Sequence, residues 1–235
     1  ANRSGGGIYS SNSDIYMENV NINNNTANEG TGGGIWINST TNSYFHNVTI
    51  SDNYACNYMI SKGGGLFCYS NGSPILENVI ISGNSVDSDH FSGWGEGGGM
   101  YCYRGNPTLI NVEIFDNFTS GSSGKGGGIF VEDCEPLLIN TLIKNNFGSQ
   151  GGGIACYEGG NPIIINTTCV NNNSQSGGGI FISRWSNPII INSILFNNNP
   201  QEVYLSWDNP SLSISYSDVQ GGESEVFIHE EATLN

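Results

Sequence analysis

Residues 151–179 read GGGIACYEGGNPIIINTTCVNNNSQSGGG, one whole unit and the opening of the next. A glycine triplet starts the unit, short apolar runs follow, and Asn166 and Asn172 stand six residues apart. The same layout recurs along the chain. Triplets begin at Gly5, Gly32, Gly63, Gly97, Gly126, Gly151 and Gly177, each followed by Ile, Leu or Met. Fourteen or fifteen residues after each start comes Asn19, Asn47, Asn78, Asn111, Asn140, Asn166 or Asn192. Six residues further on stands Asn25, Asn53, Asn84, Asn117, Asn146, Asn172 or Asn198. All seven copies keep both spacings, so the repeat decides the fold.

Between these marks the residues alternate as strands do. The fourth and sixth positions are mostly apolar, as in Ile35 and Ile37, Leu66 and Cys68, Ile129 and Val131, Ile180 and Ile182. Met17, Phe45, Leu76, Leu109, Leu138, Ile164 and Ile190 form a second apolar column. Ile22, Ile50, Ile81, Ile114, Ile143, Cys169 and Leu195 form a third. Each unit therefore offers three short strands, which bury nothing alone and must stack on their equivalents at about 4.8 Å per coil. This predicts an all-β fold, a right-handed, single-stranded parallel β-helix of about seven to nine coils. A left-handed hexapeptide solenoid would need a period of about 18, which is not seen. One domain over 1–235 is expected, with regular coils at 5–198 and an irregular C-terminal coil or cap at 199–235.

The markers have physical reasons. Asparagine accepts the left-handed backbone of a tight corner and bonds to the asparagine one coil away, so Asn47, Asn78, Asn111, Asn140, Asn166 and Asn192 are expected to form a structural ladder. The prolines of Asn106-Pro107, Asn161-Pro162 and Asn187-Pro188 fix the corner into the second strand. Length varies mainly between the second asparagine and the next triplet, most of all over residues 85–96, so one side of the rod carries graded loops.

Composition narrows the function. A net charge of −15, with only six Lys and Arg, argues against nucleic-acid or anionic-membrane partners. No stretch is apolar enough to span a membrane, and Ala1 leads almost directly into a repeat, as in a mature or trimmed piece of a longer protein. The first coil carries no amphipathic cap, which invites an upstream domain or head-to-tail stacking.

Gly64-Gly65-Leu66 followed by Ile81-Ser82-Gly83-Asn84, echoed in the other coils, resembles the repeat of chlamydial polymorphic outer-membrane proteins and of large secreted bacterial β-helix repeat proteins. Ile214-Ser215-Tyr216-Ser217-Asp218-Val219-Gln220-Gly221-Gly222 resembles the close of such arrays. This chain carries Ile where the chlamydial repeat prefers Phe. The resemblance implies a bacterial extracellular or cell-surface location and a scaffold, and it names no ligand.

The fifth position of each unit holds Tyr9, Trp36, Phe67, Tyr101, Phe130 and Phe181, interrupted at Ala155. Alternation places this row on the outer face, beside a second outward column with Tyr69, Tyr103 and Tyr157. Three readings stand open: a stripe that stacks on sugars, a protein contact, or rings that stiffen the sheet beneath the loops. Leu137, Ile163 and Ile189, with Ile110, Ile139, Ile165 and Ile191, form an outward aliphatic patch, to be covered by residues 200–235 or by another molecule.

Seven residues after the triplet start run Ser70, Arg104, Asp133, Glu158 and Arg184. In an enzyme, Asp133 and Glu158 flanked by Arg104 and Arg184 would be the catalytic set, acting on an acidic glycan by acid–base chemistry or through Ca²⁺. Otherwise the column is a ladder of ion pairs. Cys68, Cys102, Cys156 and Cys169 occupy apolar columns and read as small buried hydrophobes, whereas the pairing of Cys56 and Cys134 stays open. His46, His90 and His229 are scattered, and no metal or cofactor is expected beyond the Ca²⁺ of the enzymatic reading. Sequons at Asn38 and Asn71 accompany incidental ones at Asn47, Asn117, Asn166 and Asn172, within the corner columns.

The expectation is a secreted or cell-surface structural or adhesive scaffold, non-catalytic, self-assembling end to end or laterally. Its partners would be further copies, a cell-surface glycan or a host protein. The alternatives are a glycan-binding module and a polysaccharide lyase or hydrolase of pectate-lyase-like fold.

Overall fold

The computed structural model of the chain describes residues 4–39, 42–88 and 93–235. His90, and Thr40 of the Asn38 sequon, lie outside them. Three parallel sheets run the length of a solenoid. Sheet A has nine strands, from Ile8–Ser11 to Val226–Ile228. Sheet B has nine, from Tyr16–Glu18 to Thr233–Leu234, and sheet C eight, from Asn21–Asn23 to Asp218–Val219. Every strand pairs in register with its counterpart one coil on, so Cys68 faces Cys102 and Ile164 faces Ile190. A three-residue strand loses about 1–2 kcal/mol of backbone entropy per residue. Its single inward side chain returns roughly 1.5–3 kcal/mol, so no strand stands alone and stacking makes the fold. The inward columns meet in one core, with Ile35, Ile37, Phe45, Ile50, Leu66, Leu76 and Ile81 fully buried.

Each coil turns on single left-handed residues. The first asparagine column supplies one corner, with φ from 48° at Asn192 to 56° at Asn19. The residues seven after the triplet start supply another, including Arg104, Asp133, Glu158 and Arg184, all at positive φ. A third corner falls on the residue just before the second asparagine: Asn24, Asp52, Gly83, Asp116, Asn145, Asn171 and Asn197. The first glycine of each triplet is left-handed too, from φ 61° at Gly126 to 72° at Gly5, while the second and third answer a different need. A Cβ on Gly65 would lie 2.7 Å from the Gly99 carbonyl oxygen one coil on, so any side chain there would force the coils apart.

The two asparagine columns differ in depth. The predicted ladder is exposed, with amide bonds such as Asn111 Nδ2 to Asn78 Oδ1 at 3.3 Å and Asn140 Nδ2 to Asn111 Oδ1 at 3.2 Å. The second column forms a deeper one. Asn53 donates its backbone N–H and its Nδ2 to Asn84 Oδ1, both at 3.0 Å, and Nδ2 also donates to the Ile22 carbonyl at 2.9 Å. Asn84, Asn117, Asn146 and Asn172 repeat this pattern. Asn198 ends the series on the buried carboxylate of Glu202. Because Asn117 and Asn172 lie within this ladder, their sequons are closed in the folded chain.

One expectation needs correction. Residues 200–235 do not lie over the aliphatic patch. They continue the stack with Val203–Leu205, Ser211–Ser215 and Asp218–Val219, then begin a further coil at Val226–Ile228 and Thr233–Leu234. Alternation in 202–206 and 212–216 extends the columns without the triplets. The variable loops build extra strands outside the three sheets. Thr26–Asn28, Tyr54–Asn57, Ser85–Ser88 and Phe118–Thr119 pair in one sheet, and Ile60–Lys62 pairs with Trp94–Glu96. All six cysteines are buried and none is in a disulfide, Cys56 and Cys134 included. Among the described residues, no helix is long and apolar enough to cross a membrane.

Candidate functional site

The aromatic row stands on the outer side of sheet A, in a cluster separate from the core. It is not an open stripe. Tyr9 is 58% exposed and Trp36 half-buried, but Phe67, Tyr101, Phe130 and Phe181 are buried. Of the second column, Tyr69 is exposed, Tyr103 half-buried and Tyr157 buried. The strand pair Ile60–Lys62 and Trp94–Glu96 stands beside the row, with Ile60, Lys62 and Glu96 lining a cavity over Phe130 and Tyr157. The rings also cover one another. Tyr9 and Trp36 lie 4.4 Å apart at 2°, Phe67 and Tyr101 4.8 Å apart at 6°, and Phe181 and Tyr204 5.3 Å apart at 11°. At Ala155 the Tyr157 ring fills the gap, 5.6 Å from Phe130 and 5.7 Å from Phe181. The row continues through Tyr204 to Phe227, past the last triplet.

A charged cluster closes over the middle of this row. Lys62 Nζ donates to the Tyr101 hydroxyl at 3.1 Å, and that hydroxyl donates to Glu132. Glu96 is buried between two ammonium groups, Lys125 at 3.1 Å and Lys62 at 3.5 Å, and accepts from Trp94 Nε1 at 3.2 Å. Lys125 lies over the Tyr157 and Phe130 rings, at 4.7 and 5.5 Å. Lys62, Glu96, Lys125 and Glu132, with Glu158 and Arg184, line a cavity of about 160 Å³. Burial raises the Glu132 pKa, outweighing the hydrogen bond from Tyr101 and the charge of Lys62, which both lower it. Burial also raises the Tyr101 and Tyr157 pKa values, so both phenols stay protonated.

The four candidate catalytic residues do not form one constellation. Arg104 Nε meets Asp133 Oδ2 at 2.7 Å, and Arg184 pairs with Glu158 one coil on. Both pairs sit on left-handed corners and are about half exposed, so solvent weakens them. Only Glu158 and Arg184 reach the cavity. Arg104 and Asp133 line a separate depression of about 480 Å³ with Asn106, Glu135 and Asn161. His46 lies 3.5 Å from Glu77, and His229 packs edge-on against Trp207. Among the described residues, no group of three or more His, Cys, Asp or Glu side chains is placed to hold a metal ion.

The sequence reading missed the cluster. Lys62, Glu96, Lys125 and Gln150 stand immediately before their triplets, and that column, ignored as loop, carries the signal. The bridges from Glu96 to Lys125 and from Lys125 to Gln150 place it on successive coils beside sheet A. A family model for a right-handed β-helix region matches residues 1–146 and 101–235. Searches of curated proteins and of solved structures return no match.

Proposed function

Since the chain belongs to the right-handed β-helix family, its function rests on what its outward columns display, and we propose that it is a non-catalytic scaffold of the cell surface or extracellular space. One observation carries this reading: the outward groups best suited to chemistry are already occupied by one another. The aromatic faces stack along the rod, where a sugar would need them free. Every described Lys and Arg faces a carboxylate of the same chain. The extracellular placement draws support from the acidic composition and from the resemblance to polymorphic outer-membrane protein repeats. Adhesion follows from that setting, with a host protein as partner. Incubation with a panel of acidic polysaccharides, with and without Ca²⁺, is expected to release neither unsaturated nor reducing ends. Release of either would overturn the reading.

A second reading, glycan binding or cleavage, is favoured by the cavity over sheet A. There Glu132, with its raised proton affinity, faces Lys62 through Tyr101. If that reading holds, Glu132→Gln abolishes any cleavage while leaving binding. Trp36→Ala would weaken binding at the open end of the row.

A further inference from the structure

We propose that the corner between sheets A and B carries a binding site for a neutral glycan, built on Trp185 and Trp207. Both indoles are open to solvent, Trp185 60% and Trp207 56% exposed. They escape the stacking that closes the sheet A row. Among the described residues no ring stacks on Trp185, and Trp207 meets only His229, edge-on. The fold does not ask for an indole here. Trp185 is left-handed at φ 58°, on a corner where the coils on either side place Gly159, at φ 80°, and Asn209, at φ 52°. Glycine and asparagine meet that backbone demand readily, whereas a bulky side chain there is strained. Strain accepted at an exposed position points to a use for the ring itself. The ring also stands on a fixed base. The Trp185 N–H donates to the Asp208 carbonyl at 2.8 Å, and its carbonyl accepts from Asn187 Nδ2 at 2.8 Å.

The surroundings select the ligand. The depression of about 480 Å³ that holds Arg104 and Asp133 runs up to Gly159 and Asn161, one coil below Trp185 and Asn187. A Cβ on Gly159 would meet nothing within 4 Å, so the corner stays open on the coil below Trp185. The Nδ2 groups of Asn106 and Asn161, which line the depression, have no protein acceptor among the described residues. Polar residues flank each indole in the chain, Arg184 and Ser186 beside Trp185, Ser206 and Asp208 beside Trp207. The site is thus apolar planes set among amides and carboxylates. A pyranose divides in the same way, into an apolar C–H face and an edge of hydroxyls, whereas a protein contact calls for contiguous apolar area. Arg104 and Arg184 are already paired, with Asp133 and Glu158, which leaves Glu135 and Asp208 without a cation in a chain of net charge −15. An acidic glycan is therefore repelled, and the ligand is uncharged. The site goes beyond the scaffold reading, giving the rod a ligand without a reaction.

Isothermal titration with cellohexaose, maltohexaose and hexagalacturonate tests it. At least one of the two neutral hexamers should bind, and hexagalacturonate should bind more weakly than that one. Trp185→Asn, the residue of the next coil at Asn209, should keep the wild-type melting temperature while weakening binding at least about tenfold. Trp207→Ala should weaken it to a similar degree, and Trp36→Ala should leave it unchanged. Should Trp185→Asn unfold earlier than the wild type, Trp207→Ala decides alone, and unchanged affinity there overturns the site. Failure of both neutral hexamers to bind would overturn the inference and leave the indoles to a protein contact. Tighter binding of hexagalacturonate would overturn it as well, as would binding that Trp36→Ala removes, which moves the glycan to the sheet A cavity. Binding without release of reducing or unsaturated ends leaves the non-catalytic reading intact, so the two readings fail separately.

Discussion

The two asparagine columns are equally regular in sequence, yet they do opposite work. Asn111 lies in the outer one, solvated, at φ 54°, with a single amide bond to each neighbour. Asn117, six residues on, lies in the inner one. Its amide donates to Ile81 and Asn146 and accepts two bonds from Asn84, out of reach of water. The outer column is chosen for backbone conformation and the inner one for hydrogen bonding. Identical residue type and spacing thus hide two different physical demands, and burial separates them.

Substitution breaks the pair apart. The largest effect is expected from Asn117→Ala, which strands the Asn84 amide groups and the Ile81 carbonyl inside the coil. Chemical denaturation should record a loss of about 3–4 kcal/mol. Asn111→Ala should cost about 1 kcal/mol, mostly because alanine keeps the Cβ but lacks the short polar side chain that lets asparagine tolerate the left-handed region. Asn111→Gly should recover most of that loss, since glycine meets the backbone demand without the amide. If Asn111→Gly were as damaging as Asn117→Ala, the outer amides would be structural bonds after all.

The smallest effect, and the one stabilising change, concerns the end of the inner ladder. Burial raises the proton affinity of Glu202 in the folded chain, helped by the nearby charge of Glu225, while its bonds from Asn198 pull the other way. Between the unfolded value and the raised folded one, the native state therefore binds a proton that the unfolded chain releases. Stability is full below the usual glutamate range and declines as pH rises through the raised folded value. Glu202→Gln keeps an acceptor for Asn198 without the charge. Its melting temperature should exceed that of the wild type at neutral pH and match it in acid. A pH-independent difference would point to packing rather than ionisation.

Most of the fold was legible because its determinants are local. Alternation fixes which side chains face inward, and corners need residues that tolerate positive φ. In-register stacking then makes one coil the template for the next, which is why the placement of Cys68 on Cys102 follows from spacing. The candidate site was legible only in part. The aromatic row was found on the correct side, but its burial beneath the loops stood only as one of three open readings. Sequence alternation distinguishes inside from outside a coil, and it is blind to a neighbouring loop that leans over the outside.

By itself, then, the sequence determined the coil, its register and its three strands, since each depends on contacts between equivalent positions at a constant interval. Tertiary structure alone decided which asparagines are buried, that Tyr157 fills the place of Ala155, and that Lys62 and Lys125 converge on Glu96 across the cavity from Glu132. Those outcomes depend on loops of unequal length meeting across coils, where no repeat distance constrains them.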